Sequence, residues 1–261
     1  MSERRSGEAR RLAIGGATGR MGRSIARLAS EHHFMIVGAF AAPGDVGTSV
    51  EGVRVAGSPS EAIETAEVVI DFSHASAVAP IAKACRARAI PLVCGTTNLD
   101  DDGKRAIDEL ASTAAVLWSP NMSLGVQLLA DLVEQAVRRL GISVDVEIIE
   151  AHHGQKVDAP SGTAKRLIEA VRTGLDDTAP LSHGRQGEVG ARKRGEIGVH
   201  SIRGGDVIGD HTVMLLGKGE RLELTHRADT RDVFAHGALR AARFLVGRAP
   251  GRYTMKDLLG G

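Results

Sequence analysis

Through the first 120 residues, short apolar runs alternate with stretches whose apolar residues recur at helical spacing. Leu12, Ala13 and Ile14 make a short apolar run ending in a glycine-rich turn, which predicts a buried strand. Met21, Ile25, Leu28 and Ala29 then share one helical face. Further strands are expected over residues 35–40, 67–72, 91–94 and 115–118, and a helix over 76–89. Another helix opens at Asp100, Asp101 and Asp102. Ser58, Pro59 and Glu61 supply an N-cap, a first-turn proline and a glutamate three residues after the cap, which marks a helix start. Strands alternating with helices imply right-handed crossovers and a mainly parallel, doubly wound sheet.

After residue 120 the pattern changes. Residues 123–140 read as a long amphipathic helix stopped by Gly141. Residues 143–150 partly alternate, as a half-exposed strand does. A helix over 161–173 precedes a polar stretch rich in Gly and Arg, residues 176–195. Three strand-like runs follow, over 196–202, 211–217 and 221–226, and then a final amphipathic helix over 232–246. The expected fold is therefore α/β: an N-terminal Rossmann-like domain of residues 1–122 and 233–261, and a second α+β domain of residues 123–232 with an open mixed sheet.

Composition narrows the partners. The 261 residues carry 33 Lys and Arg against 32 Asp and Glu, a net charge of +1. That balance argues against a nucleic-acid partner, where a basic excess is usual. Five Phe, one Trp and one Tyr offer little for base stacking. No run of 18 apolar residues predicts a membrane span. The Arg-rich start leads into residues 12–16 rather than an apolar signal core, so a cytoplasmic protein is expected. Cys85 and Cys94 have neither a zinc spacing nor a disulfide framework and read as reduced core residues.

Two clusters carry chemistry. Gly16, Gly19 and Gly22 follow a strand and open a helix, as a pyrophosphate-binding turn does. Thr18 stands at the second glycine of a strict G-x-G-x-x-G, so context carries the reading. Residues 38–44 lack the acid that commonly binds the ribose of NAD, and Asp45 is the first one beyond them. Arg20 lies near the turn. The expected coenzyme is NADPH or NADH, with NADPH favoured. Gly95, Thr96 and Thr97, and Ser119, Pro120, Asn121 and Met122, fall at strand ends where a nicotinamide would sit.

The second cluster spans residues 147–164. Adjacent strand side chains face opposite ways, so His152 and His153 are expected to do different jobs. Lys156 adds a localised positive charge, and Pro160, Ser161, Gly162 and Thr163 open a helix whose amides form an anion site. Together they suit a small, highly anionic substrate. Ser161 is expected as a cap or substrate ligand, since no nucleophile elbow surrounds it. The histidines lack a metal-binding spacing, so no metal is expected, and the other eight read as structural.

The segment Glu150-Ala-His-His-Gly-Gln-Lys-Val-Asp-Ala-Pro-Ser-Gly-Thr-Ala164 resembles the signature of the 4-hydroxy-tetrahydrodipicolinate reductases of the diaminopimelate route to lysine. The likeness extends to residues 16–22, 71–73, 95–97, 121–123, 205–212 and 220–226. It implies an NAD(P)H-dependent oxidoreductase acting on a cyclic imine dicarboxylate, with His152 and Lys156 catalytic. His153, Gly162 and Thr163 would bind substrate, beside Ser161 as the cap or substrate ligand already expected from the residues. Gly16, Ala17, Thr18, Gly19, Arg20, Met21, residues 95–97 and residues 119–122 would line the nucleotide site. It further implies a homotetramer joined through the open sheet; with coenzyme and substrate expected on different domains, closure across hinges near residues 121–123 and 230–235 is also expected. The family's charged coenzyme contacts after the second strand have no equivalents in Ala41, Ala42 and Pro43. Two other readings remain on the residues alone: another two-domain NAD(P)-dependent enzyme, such as an amino-acid dehydrogenase, and a nucleotide-binding redox sensor without turnover.

Overall fold

A computed structural model describes residues 9–260; the first part of the Arg-rich start lies outside them. Contacts divide the chain into two units, Met1–Ser123 with Asp232–Gly261, and Leu124–Arg231. The first unit opens with β1 (Arg10–Gly15), α1 (Arg20–Leu28), β2 (Phe34–Phe40), β3 (Ser49–Val50), β4 (Val53–Ala56) and α2 (Pro59–Ala62). It continues with β5 (Val68–Asp71), α3 (Ala75–Ala87), β6 (Leu92–Cys94), α4 (Asp101–Ala111) and β7 (Ala115–Trp118). The second unit holds α5 (Leu124–Leu140), β8 (Asp145–His152), α6 (Gly162–Leu175), β9 (Leu181–His183), β10 (Ile197–Arg203), β11 (Gly209–Leu216) and β12 (Arg221–Ala228). The chain then returns to the first unit with α7 (Asp232–Leu245), β13 (Gly251–Tyr253) and α8 (Met255–Leu258).

In the first unit eight strands run in the order β13-β7-β6-β5-β1-β2-β4-β3. Every pair is parallel except the short β3–β4 hairpin. Leu12, Ala13 and Ile14 of the central β1 are fully buried, as a strand covered on both faces requires. Strand order reverses at β1, whose neighbours are β2 on one side and β5 on the other. The carboxyl ends of strands at such a reversal form the crevice where α/β sheets bind ligands. The cap read at Ser58 is present, accepting from the Glu61 amide, and the helix start read at residues 100–102 is capped by Asp100, which accepts from the Gly103 amide. Cys85 and Cys94 are buried free thiols, and burial pushes both thiols up. β3, β4 and β13, of two to four residues, were not marked by the pattern.

The second unit is a five-stranded mixed sheet in the order β12-β11-β8-β10-β9. β8 pairs in parallel with β10 and antiparallel with β11. Helices α5 and α6 cover one face, where Val146, Ile148, Val199 and Val213 meet Leu129, Val133, Leu167 and Val171. The other face is built on charge. Glu147 accepts from both terminal nitrogens of Arg185 at 3.1 and 2.9 Å, from Arg192 Nε at 3.1 Å, and lies 2.7 Å from His200 Nε2. These partners hold its carboxyl at about 2, against a burial penalty acting the other way. They also tie the Gly- and Arg-rich stretch to the sheet, and β9 lies within it. Among the described residues, no helix is long and apolar enough to cross a membrane.

Candidate active site

The glycine turn sits at the carboxyl end of β1. Gly16 adopts φ +68°, and a Cβ there would stand 2.4 Å from the Phe72 carbonyl oxygen. A Cβ on Gly22 would stand 2.2 Å from the Gly16 carbonyl oxygen, so the turn and α1 pack backbone to backbone. Gly19 is the N-cap of α1 and makes no side-chain cap hydrogen bond. The first-turn amides, at Arg20 and Met21, therefore face outward without intrahelical acceptors. Gly19, Arg20, Met21, Phe72, Ser73, Gly95, Thr96 and Thr97 line a pocket of about 230 Å³. The bare helix end, the Arg20 side chain and the space left by missing Cβ atoms fit a dinucleotide pyrophosphate.

The other expected coenzyme residues are placed as follows. Ala17 is fully buried, and its amide donates to the Phe40 carbonyl. Thr18 donates from its hydroxyl to Asp45 Oδ2 at 2.7 Å, which brings a carboxylate to the turn that spacing after β2 did not reveal. Thr96 turns its hydroxyl inward, to Asp71 Oδ2 at 2.7 Å, while Thr97 is exposed. Ser119 donates to the Asn121 carbonyl at 2.7 Å, and Pro120 is exposed. Met122 is buried, and a Cβ on Gly237 would meet its carbonyl oxygen. Residues 119–122 are not among those lining the pocket. Asp71, Phe72 and Ser73 stand behind or in it although their roles were not read from sequence. Asp71 is fully buried, and burial raises its carboxyl against the hydrogen bonds of Ser73, Thr96 and Cys94.

The polar cluster gathers at the end of β8 and the start of α6. Glu150 and His152 lie on the helix-covered face, since alternation puts them with Val146 and Ile148. His152 Nδ1 lies 2.6 Å from Glu150 Oε2. Arg203 grips both Glu150 oxygens at 2.8 Å, and the Ser161 amide donates to Oε1 at 3.2 Å. Hydrogen bonds from Arg203 above all, then from Ser201 and His152, hold Glu150 at about 2 despite burial. Burial sets His152 below the ordinary histidine value, opposed by Glu150 and assisted by Lys156 and Arg203.

Lys156 Nζ lies 2.7 Å from Asp158 Oδ1, and Asp158 offers its carbonyl to Arg203 at 2.7 Å. His153 is half-buried and donates its amide to the Val207 carbonyl at 2.8 Å. Ser161 caps α6, accepting from the Ala164 amide at 3.2 Å, and Gly162 and Thr163 form the first turn. Ser161 Oγ also lies 3.2 Å from Nε2 of His211, whose ring meets that of His152 edge-on at 5.1 Å. His211 was read as structural; the sheet places it within the cluster, and burial pulls it down to about 4. Glu150, Asp158, Arg203 and His211 are thus the cluster members that sequence reasoning left without a functional role. One signal was available, an acid, Glu150, two positions before His152 on an otherwise apolar strand face.

Comparisons with known proteins agree with both halves. The profile of the dihydrodipicolinate reductase N-terminus matches residues 10–122, and that of the dihydrodipicolinate reductase C-terminus matches residues 125–259. A 4-hydroxy-tetrahydrodipicolinate reductase of Myxococcus xanthus is 46% identical, over 96% of this chain and 97% of the relative. One of Thiobacillus denitrificans is 44% identical, over 96% and 98%. A solved structure of a dipicolinate-bound dihydrodipicolinate reductase from Paenisporosarcina sp. TG-14 shares the fold, with a TM-score of 0.77 at 24% identity over 94% of this chain and 97% of that one. The chain belongs to the dihydrodipicolinate reductase family.

Proposed function

We propose that this chain is an NAD(P)H-dependent oxidoreductase that reduces 4-hydroxy-tetrahydrodipicolinate to tetrahydrodipicolinate, in the diaminopimelate route to lysine. The observation that carries the reading is the polar cluster. An imidazole on a buried carboxylate, an ammonium and a helix N-terminus are held together through Glu150, Arg203, Asp158 and Ser161. A compact dicarboxylate satisfies all three. Lys156 and the first turn of α6, at Gly162 and Thr163, hold its carboxylates, with His153 and Ser161 as further contacts. Loss of the 4-hydroxyl as water leaves a conjugated imine, and to its ring the nicotinamide, when bound, would supply a hydride. His152, as imidazolium, protonates the neighbouring ring carbon. Burial disfavours that charged form, and the negative charge of the bound dicarboxylate restores it, so the substrate itself favours the proton donor.

The turn around Gly16, with Arg20, Met21, Thr97 and the Thr18–Asp45 pair, holds the coenzyme. Asp45 supplies the carboxylate whose absence directly after β2 favoured NADPH, and Arg20 supplies a cation for a 2′-phosphate. Both NADPH and NADH therefore fall within the site's range. The face of the second sheet away from α5 and α6, together with the family resemblance, supports a homotetramer, and the biosynthetic role a cytoplasmic location.

The deciding assay follows NAD(P)H oxidation with substrate made in situ from pyruvate and aspartate semialdehyde by the preceding synthase. Wild type is expected to turn over, and His152→Ala or Lys156→Ala to lose about 10²- to 10⁴-fold while still folded. Coenzyme binding without turnover, oxidation only with a 2-keto acid and ammonia, or variants as fast as wild type would overturn the reading.

A further inference from the structure

Two imidazoles share the second-unit cluster, and their surroundings differ in one respect. His152 and His211 stand edge-on, with centroids 5.1 Å apart and planes at 74°. His152 places Nδ1 2.6 Å from a carboxylate oxygen. His211 reaches only the Ser161 hydroxyl, and its buried Nδ1 has no hydrogen-bond partner among the described residues. Glu150, the carboxylate concerned, is fully buried. A bidentate guanidinium from β10 and an amide from the start of α6 fix its plane. It has little freedom to turn away from His152.

A carboxylate oxygen only accepts, so the Nδ1 that faces it carries hydrogen in either charge state of the ring. The neutral ring is then bare at Nε2, and any second proton resides there, on the side toward Gly209, where a Cβ would lie 3.1 Å from Nε2. The charged groups around the ring are Glu150 on its own strand, Lys156 and Asp158 from the following loop, and Arg203 from β10; His211 faces it from β11. Lys156 and Arg203 oppose a second proton on His152, and the Asp158 carboxylate is engaged by Lys156. Glu150 is the anion in direct contact, and at 2.6 Å its attraction outweighs cations standing farther off.

We infer that Glu150, locked in place by Arg203, is a positioning residue of the reductase reaction. It fixes His152 with Nδ1–H turned inward and keeps the transferable proton on Nε2, which makes His152 rather than His211 the proton donor. The inference rests on the proposed reductase function. In the step it describes, the Nε2–H bond breaks as a carbon–hydrogen bond forms on the substrate. The ring is left as the neutral Nδ1–H tautomer, and water returns the proton to Nε2.

Glu150→Gln keeps an acceptor for Nδ1–H and removes the charge. The expected result is an alkaline limb of the kcat/KM profile shifted to lower pH by about one unit or more, a loss of about tenfold at pH 8. The KM for the coenzyme should be unchanged. Glu150→Asp, which restores the charge, should return the limb toward its wild-type position even where kcat stays low. A wild-type limb in Glu150→Gln overturns the inference. Because that variant can fail to fold around Arg203, nitrogen-15 NMR of the histidines in the wild-type protein gives an independent answer. Neutral His152 is expected as the Nδ1–H tautomer, titrating at higher pH than His211; an Nε2–H tautomer or the reverse order overturns the inference. If the wild-type enzyme fails to reduce the substrate, the reductase reading falls, and the NMR result still decides what Glu150 does to His152.

Discussion

The two places where this protein is expected to hold small molecules are built by opposite means. At the glycine turn the chain takes side chains away: Gly16 and Gly22 leave backbone against backbone, and a helix end is left without a side-chain cap. At the end of β8 it adds them: Glu150, His152, Lys156, Asp158, Arg203 and His211 converge within one charged network. A coenzyme pyrophosphate is recognised by amides and space, which many sequences can supply. A small dicarboxylate needs cations and a proton at set positions, which few can. The first region should therefore be sensitive to volume and the second to charge.

The sharpest test of that contrast exchanges hydrogen for methyl in each region. Gly22→Ala drives a Cβ to 2.2 Å from the Gly16 carbonyl oxygen, where only backbone movement relieves it. It should destabilise the fold by about 1–3 kcal/mol and weaken coenzyme binding. Gly162, at the start of α6, has nothing within 4 Å of an added Cβ. Gly162→Ala should change stability by less than about 0.5 kcal/mol. Thermal unfolding and coenzyme titration of both variants check this, and equal losses would remove the distinction.

The same contrast explains what could be read from sequence. The turn at Gly16–Gly22, the cap at Ser58 and the segment from His152 to Thr163 are local, so neighbouring residues mark them, with the family resemblance adding the roles of His152 and Lys156. Arg203 and His211 reach Glu150 and Ser161 from more than 40 residues away, through the pairing of β10 and β11 with β8. No local pattern encodes that pairing. Asp45 was visible as an acid, but the turn at residues 43–45 that folds it back onto Thr18 was not. Asp71 was hidden differently, as the charged end of an apolar run whose partner Thr96 lies on another strand end. β9 escaped notice because three residues within a Gly- and Arg-rich stretch give no period to count.

Acid should separate the regions by sign. In the second unit, Glu147 and Glu150 are held at about 2, so their stabilisation is present above the ordinary carboxylate value and is lost as pH falls toward 2. His211, pulled down to about 4, acts in the same direction, because the unfolded chain takes up that proton first, from about pH 6.5 downward. Asp71 in the first unit is raised, so its contribution is present at low pH and lost as pH rises. Glu147→Gln should lower Tm at pH 7 and flatten its fall in acid, whereas Asp71→Asn should cost least at high pH. Parallel Tm–pH curves for the two variants would show that the regions do not differ in this way.

The smallest expected effect lies where charge enters the volume-built region. Asp45 accepts from the Thr18 hydroxyl at 2.7 Å, beside a turn whose pocket is also lined by Arg20. A carboxylate there favours ribose hydroxyls and repels a 2′-phosphate; the Arg20 guanidinium does the reverse. Asp45→Asn keeps the acceptor for Thr18, and with it the shape of the turn, while removing the charge. The ratio of kcat/KM for NADPH over NADH should rise about two- to fivefold, the scale of a partly exposed charge interaction of roughly 0.5–1 kcal/mol. The gain should shrink as salt is raised, because the interaction is screened. An unchanged ratio with an intact fold would confine Asp45 to bracing the turn, and coenzyme choice would then rest on Arg20 and the backbone alone.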